Sequence, residues 1–154
     1  LLQKPGHTAL RKGRVSLPGY TYVVTTVVRE RWPVFADFRA ACAAASCFKR
    51  PTLLGDATML AWVLMPDHAH WLIQLGESDS LSLVVNRLKS ASARAANRVL
   101  GREGPLWEVA FHDRALRREE DLRTIARYIV GNPLRAGLVE RVGEYSFWDV
   151  VWIE

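Results

Sequence analysis

Apolar residues follow two periods along this chain, and each change of period marks an element. Residues 20–28, Tyr-Thr-Tyr-Val-Val-Thr-Thr-Val-Val, are dense in β-branched and aromatic side chains and predict a first strand. From Pro33 to about Cys47 the apolar positions Phe35, Phe38, Ala41, Cys42 and Ala45 recur at helical spacing, with Pro33 at the helix start. Two continuous apolar runs follow, flanking Met65-Pro66-Asp67. They predict two strands joined by a tight turn, and their unbroken apolarity suits central strands covered on more than one face. Ser78 or Asp79 can cap a second helix reaching about Leu100, with Leu81, Val84, Val85, Leu88, Ala91 and Ala95 as its apolar stripe. Gly101 and Gly104-Pro105 end it. Leu106 to Ala115 reads as a fourth strand, interrupted by His112-Asp113. A third helix is predicted from about Glu119 to Gly131 or Asn132, closed by Pro133 and carrying the stripe Leu122, Ile125, Ala126, Ile129 and Val130. Phe147, Trp148, Val150, Val151 and Trp152 mark residues 138–154 as a docked tail. The order β-α-β-β-α-β-α predicts an α+β fold: a ferredoxin-like (RRM-like) antiparallel sheet of four to five strands, helices on one side, and an added C-terminal helix. Residues 1–19 form a basic arm ahead of a single domain over 20–154.

Composition adds a partner class. The chain of 154 residues carries 21 Lys and Arg against 16 Asp and Glu, a net charge of +5 that favours an anionic partner, nucleic acid first among them. The arm contributes Arg11, Lys12 and Arg14. On the second helix Arg87, Ser90, Arg94 and Arg98 fall at spacings of three and four and share a face, with Lys89 beside it. Such a face is either a solvated surface or a track for a phosphate backbone. Cys42 and Cys47 are spaced poorly for a disulfide or a metal pair and are expected to be reduced core residues of a cytoplasmic protein. No apolar run reaches the roughly 18 residues of a membrane span.

The candidate chemistry begins at His68-Ala69-His70. Strand alternation sends His68 and His70 to one face and Ala69 to the other. Two imidazoles side by side in apolar surroundings are either core histidines bonded to backbone carbonyls or a pair of ligands for a divalent metal. On the third helix Tyr128 and Asn132 are four apart and therefore neighbours, along one border of the apolar stripe. Asp121, seven residues before Tyr128, lies on the same border. Singly, each has an ordinary structural explanation.

Jointly they resemble a known family. His68-Ala69-His70, preceded by Met65-Pro66-Asp67, and the later run Tyr128-Ile129-Val130-Gly131-Asn132-Pro133-Leu134-Arg135-Ala136-Gly137-Leu138 resemble the single-tyrosine HUH transposases. The opening Arg14-Val15-Ser16-Leu17-Pro18-Gly19-Tyr20 is similar to the REP-associated tyrosine transposase branch. The resemblance implies that residues 20–154 are an HUH transposase catalytic domain that cleaves single-stranded DNA beside a REP-like hairpin. It implies that His68, His70 and Asn132 hold Mg²⁺ or Mn²⁺, and that Tyr128 is the nucleophile of a 5′-phosphotyrosine intermediate. No activating base is evident, and Asp121 and His112 are the candidates. For DNA, the expectation is that Arg11, Lys12 and Arg14 help read the single-stranded foot, while Arg87, Lys89, Arg94 and Arg98 contact the backbone. The branch further implies a monomer, whereas single-tyrosine insertion-sequence enzymes resemble dimers that exchange the tyrosine helix. A non-catalytic nucleic-acid module of the same fold would explain the charge but not the His-Tyr-Asn set. A structural-zinc or metallohydrolase site would need three or four strong ligands, with only His7 and His112 left as imidazoles.

Overall fold

The computed structural model describes residues 16–117 and 121–152. Strands β1 (Thr21–Val27), β2 (Thr58–Met65), β3 (His68–Gln74), β4 (His112–Ala115) and β5 (Trp148–Val150) form one antiparallel sheet in the order β4-β1-β3-β2-β5. The first four strands have the order of a ferredoxin-like βαββαβ unit. The tail supplies the fifth, pairing with the outer side of β2.

One face of the sheet packs against α1 (Phe38–Ala45), the short α2 (Pro51–Leu54) and the long α3 (Leu81–Leu100). Tyr22, Val24, Ala69, Trp71 and Ile73 point into this core. The opposite face packs against α4 (Leu122–Val130) and the tail, through Val63, Leu72, Ala126, Ile129, Trp148 and Val150. The added helix therefore takes the face that a bare ferredoxin-like unit leaves open, and β2 and β3 are covered on both sides. A register shift in β2 between Met59 and Ala61 adjusts which side chains serve which core. Met59 and Trp62 are three apart yet both face α3, while Leu60, Ala61 and Val63 face α4.

Several boundaries differ from the pattern-based expectation, each for a local reason. The first helical stretch is broken: Val34–Ala36 is a single 3-10 turn, and α1 starts only at Phe38, because Asp37 accepts a hydrogen bond from Ala40 N at 3.0 Å. That cap resets the helical phase. Ala40, Ala41 and Ala44 are buried, whereas Phe38 and Cys42, expected in the core, are exposed. Ser80, not Ser78 or Asp79, caps α3 through Leu83 N, and Asp79 instead holds Arg87. The fourth strand shrinks to four residues, because Leu106 to Phe111 turn away from the sheet after a single bridge between Val28 and Trp107. The end of the basic arm is anchored: Ser16 Oγ accepts from Leu81 N at 3.1 Å and Gly19 N donates to Leu75 O at 3.0 Å. Arg11, Lys12 and Arg14 lie outside the described residues. Among the described residues no helix is long and apolar enough to cross a membrane.

Lys89 is a structural residue. It is buried, and its Nζ donates to the carbonyls of Glu108 and Val109 at 2.6 and 3.0 Å, tying the 106–111 segment to α3. Charge-assisted bonds of this kind contribute about 1.5–3 kcal/mol. Lys89→Ala is expected to lower unfolding free energy by about that amount, measured by chemical denaturation. A loss within 0.5 kcal/mol of zero, the scale of ordinary surface substitutions, would reject the structural role.

Candidate functional site

Pairing of β1 with β3 places Thr25 opposite His70 and Val27 opposite His68, and pairing with β4 places His112 opposite Thr25. Paired residues share a face, so His68, His70, Thr25 and His112 all project toward the α4 side of the sheet. The two imidazole centroids are 4.9 Å apart, with the rings nearly perpendicular.

Each ring is held at one nitrogen. His68 Nδ1 lies 2.7 Å from Asp67 Oδ1, and since an ionised carboxylate only accepts, Nδ1 is the donor. Asp67 is in turn held by Arg31, whose Nη1 donates to Oδ2 at 3.4 Å. Burial works to raise the Asp67 pKa. Its bond and charge contact with His68, followed by Arg31, outweigh that and hold it below the usual carboxylate value. His70 Nδ1 lies 2.8 Å from Thr25 Oγ1. Burial, reinforced by the charges of His68 and Arg135, lowers the His70 pKa to about 4, so this ring is neutral at physiological pH.

A cavity of about 510 Å³ lies between the sheet and α4, lined by His70, Thr25, Arg114, Tyr128 and Asn132 among others. Tyr128 reaches it because the Leu122–Val130 helix buries Ala126, Ile129 and Val130, leaving Tyr128 on the border with 66% of its surface exposed. Gly131 then bends the chain into α5 (Asn132–Arg135). A Cβ at Gly131 would stand 2.8 Å from Arg135 Nη1 and 3.1 Å from Arg127 O, so glycine leaves the room into which the Arg135 side chain folds. Arg135 folds back: its guanidinium sits 3.7 Å from the Tyr128 ring centroid, and Nη2 donates to Tyr128 O. Asn132 Nδ2 donates to Ile129 O at 3.0 Å, which leaves Oδ1 as the atom that could act as a ligand.

Two imidazole nitrogens and one amide oxygen could hold a divalent ion in an open site, with positions left for water or phosphate oxygen. Both Nδ1 atoms are engaged, so each histidine would offer Nε2, with Asn132 Oδ1 as an oxygen donor from the facing helix. Among the described residues no group of three or more His, Cys, Asp or Glu could hold a metal ion.

The other tyrosines are placed elsewhere. Tyr22 is buried on the α3 side, and Tyr145 donates to Leu64 O at 2.6 Å, with burial pushing its pKa up to about 12. Tyr20 lines a separate recess at the far end of β1, with Gln74 and Arg117.

Other expected site residues are relocated. Asp121 caps α4: its oxygens accept from Thr124 Oγ1 at 2.8 Å and Arg123 N at 2.9 Å. The Thr124 hydroxyl first, then the Arg123 amide, hold its pKa below normal. Seven residues of helix also place it roughly 10 Å along the axis from Tyr128, so it is a cap and a poor base. His112 is exposed on β4, one strand beyond Thr25. Arg87 is turned inward, donating to Leu53 O at 2.8 Å and Asp79 Oδ2 at 2.7 Å, and Lys89 is buried. Arg94 and Arg98 are exposed, but on α3, across the sheet from the histidines. Thr25, Asp67, Arg114 and Arg135 are the residues that sequence reasoning passed over. Strand pairing gives Thr25 and Arg114, adjacency gives Asp67, and the turn at Gly131 gives Arg135.

The profile of the IS200-like transposase family matches residues 16–132. The chain is 30% identical over 89 residues to the REP-associated tyrosine transposase of Escherichia coli K12, covering 56% of this chain and 50% of that protein. A Haemophilus influenzae protein assigned provisionally to the same group is 31% identical over 98 residues, covering 57% of this chain and 56% of that protein. The chain thus spans about half the length of the curated relatives it matches. Among solved structures, a REP-associated tyrosine transposase bound to a REP hairpin superposes with a TM-score of 0.66 at 26% identity, covering 88% of this chain and 79% of that one. With the family profile running from the end of the arm to Asn132, across both histidines and the tyrosine helix, the chain belongs to the IS200-like transposase family.

Proposed function

We propose that this protein is a metal-dependent nicking and strand-transfer enzyme acting on single-stranded DNA next to a REP-like hairpin, with Tyr128 as nucleophile. The carrying observation is the single cleft that gathers His70, Asn132 and the exposed Tyr128, with His68 beside His70. Tyr128 Oη attacks the scissile phosphorus, the P–O3′ bond breaks, and the phenolic proton leaves as the 3′-oxygen gains one. The products are a 5′-phosphotyrosine link and a free 3′-hydroxyl. Because the link keeps the phosphodiester energy, a later 3′-hydroxyl can reverse the step and join new ends. His68, His70 and Asn132 would hold Mg²⁺ or Mn²⁺, which when bound polarises the phosphate and supports the leaving oxygen. Asp67 and Thr25 orient the two rings. Arg135 braces Tyr128, and Arg114 lies where phosphate charge would collect. Tyr128 shares its cleft with the histidines of its own chain, which supports action as a monomer. The hairpin as partner rests on the REP-bound structure that this chain resembles. Phosphate contacts by Arg94 and Arg98, and reading of the foot by Arg11, Lys12 and Arg14, complete the proposal.

Three outcomes test it. Tyr128→Phe is expected to bind hairpin oligonucleotides normally and form no covalent adduct on denaturing gels; adduct at wild-type yield would refute Tyr128 as nucleophile. His68→Ala and His70→Ala are expected to lose cleavage with either ion, and Asn132→Ala to lose less. Thr25→Val, which removes the hydroxyl on His70, is expected to cost about 10- to 100-fold in activity or metal affinity. Normal cleavage by the histidine variants, after chelation and resupply of Mg²⁺, would exclude the metal site.

The third outcome concerns pH. In chelator-treated protein the folded His70 pKa of about 4 lies below the ordinary value of 6.5. The unfolded chain then binds more protons between those values. The contribution is full above pH 6.5 and is lost as pH falls toward 4. His70→Gln is expected to flatten the stability profile in that window, read by denaturation at successive pH values. An unchanged slope would show that His70 is not the neutral, desolvated ring described here.

A further inference from the structure

Outside the histidine cleft, one groove combines backbone strain, an exposed aromatic ring and charge. It has a volume of about 580 Å³ and lies between the turn after β1 and the loop after α3. Trp32 lines it with 45% of its surface exposed, and the Arg102 guanidinium stands 5.1 Å from the Trp32 ring centroid. Arg102 is steadied by Asn97 Oδ1 at 2.8 Å. Arg29 lines the same groove and donates to Trp107 O at 3.3 Å.

The turn that presents Trp32 is unusual. Glu30 and Arg31 have φ of 56° and 55°, and among the described residues they are the non-glycine residues in the left-handed region. Such backbone is disfavoured for side chains of this size and persists only where surrounding structure enforces it. Here Glu30 N is bonded to Glu108 Oε1 at 3.3 Å, and Arg31 reaches Asp67, the residue that holds His68. The turn that presents Trp32 thus also touches Asp67, next to His68.

Its charge argues for a base over a run of phosphates. Arg29 and Arg102 are matched by Glu30 and Glu108 in the same lining, so no net positive field draws a duplex backbone there. Trp32, 45% exposed with Arg102 over its ring, offers a surface for stacking, and the two carboxylates, which only accept, suit the N–H groups on the edge of an unpaired base. We infer that the Trp32–Arg102 groove is a binding site for one unpaired base of the single-stranded DNA flanking the hairpin. This rests on the reading of the protein as a single-stranded-DNA transposase, and it adds a specificity site apart from the catalytic cleft.

The test measures binding separately from chemistry. Fluorescence anisotropy is recorded for labelled hairpins with and without single-stranded flanks, using wild type, Trp32→Ala and Trp32→Phe, with thermal melts to show that the variants fold. Trp32→Ala is expected to weaken binding of flanked hairpins by about tenfold, as for loss of one stacked base, and to leave blunt hairpins unaffected. Trp32→Phe should restore part of the loss. An abasic scan of the flank should find one position whose removal weakens wild-type binding equally and adds nothing in Trp32→Ala. Equal losses on flanked and blunt hairpins, no loss at all, or additive abasic effects would each overturn the inference. Adduct formation by wild type is scored alongside: its absence would count against the nucleophile proposal and leave the binding result to decide the groove.

Discussion

The arrangement depends on the pairing of β3 with its neighbours in one register. Thr25 opposite His70 and Val27 opposite His68 bring a hydroxyl to one ring and keep both rings on the α4 face. A slip of one residue would exchange the faces, turning the histidines toward α3 and Ala69 and Trp71 toward α4. Trp71 is fully buried among Phe48 and Trp107, at centroid distances of 5.2 and 6.4 Å, so the aromatic core holds the register that the site requires. Packing on one face thereby sets chemistry on the other.

That division explains where polarity is tolerated. The α3 face is almost wholly apolar: Trp107 Nε1 donates to Ser92 Oγ at 3.0 Å, whereas Thr26 Oγ1, Trp62 Nε1 and Trp71 Nε1 are buried without a hydrogen-bond partner. On the α4 face the sheet carries two histidines and a threonine next to a cavity, and the helix above it meets the sheet through a narrow apolar stripe. The border of that stripe is where Tyr128 can be exposed without weakening the packing. The turn at Gly131 then lets Arg135 return over the tyrosine and lets Asn132 face the cavity. One cation thus adjoins both Tyr128 and a neutral histidine, a setting suited to an anionic group.

The basic residues divide by the same logic. Arg87 and Lys89 look like surface charges at helical spacing, yet each satisfies backbone carbonyls of a segment docked on α3. Arg94 and Arg98 stay exposed on the outer layer. Exposed positive charge is therefore split between the outside of α3 and the cleft itself.

By itself the sequence determined four strands of the sheet and the three longer helices, and it singled out His68, His70 and Tyr128 as candidates. Strand alternation and helical periodicity are local, and a long motif constrains its own geometry. Asn132 was equally legible, as the residue one turn beyond the tyrosine. What only tertiary structure decided were the matters resting on partners distant in the chain. These include which arginines turn inward, that Asp121 is a cap, that Asp37 resets α1 and exposes Cys42, and that Thr25 meets His70 across 45 residues. Periodicity gives the face a residue occupies, but hydrogen-bond partners follow from which surfaces meet, and that is settled only when the sheet closes between its two layers.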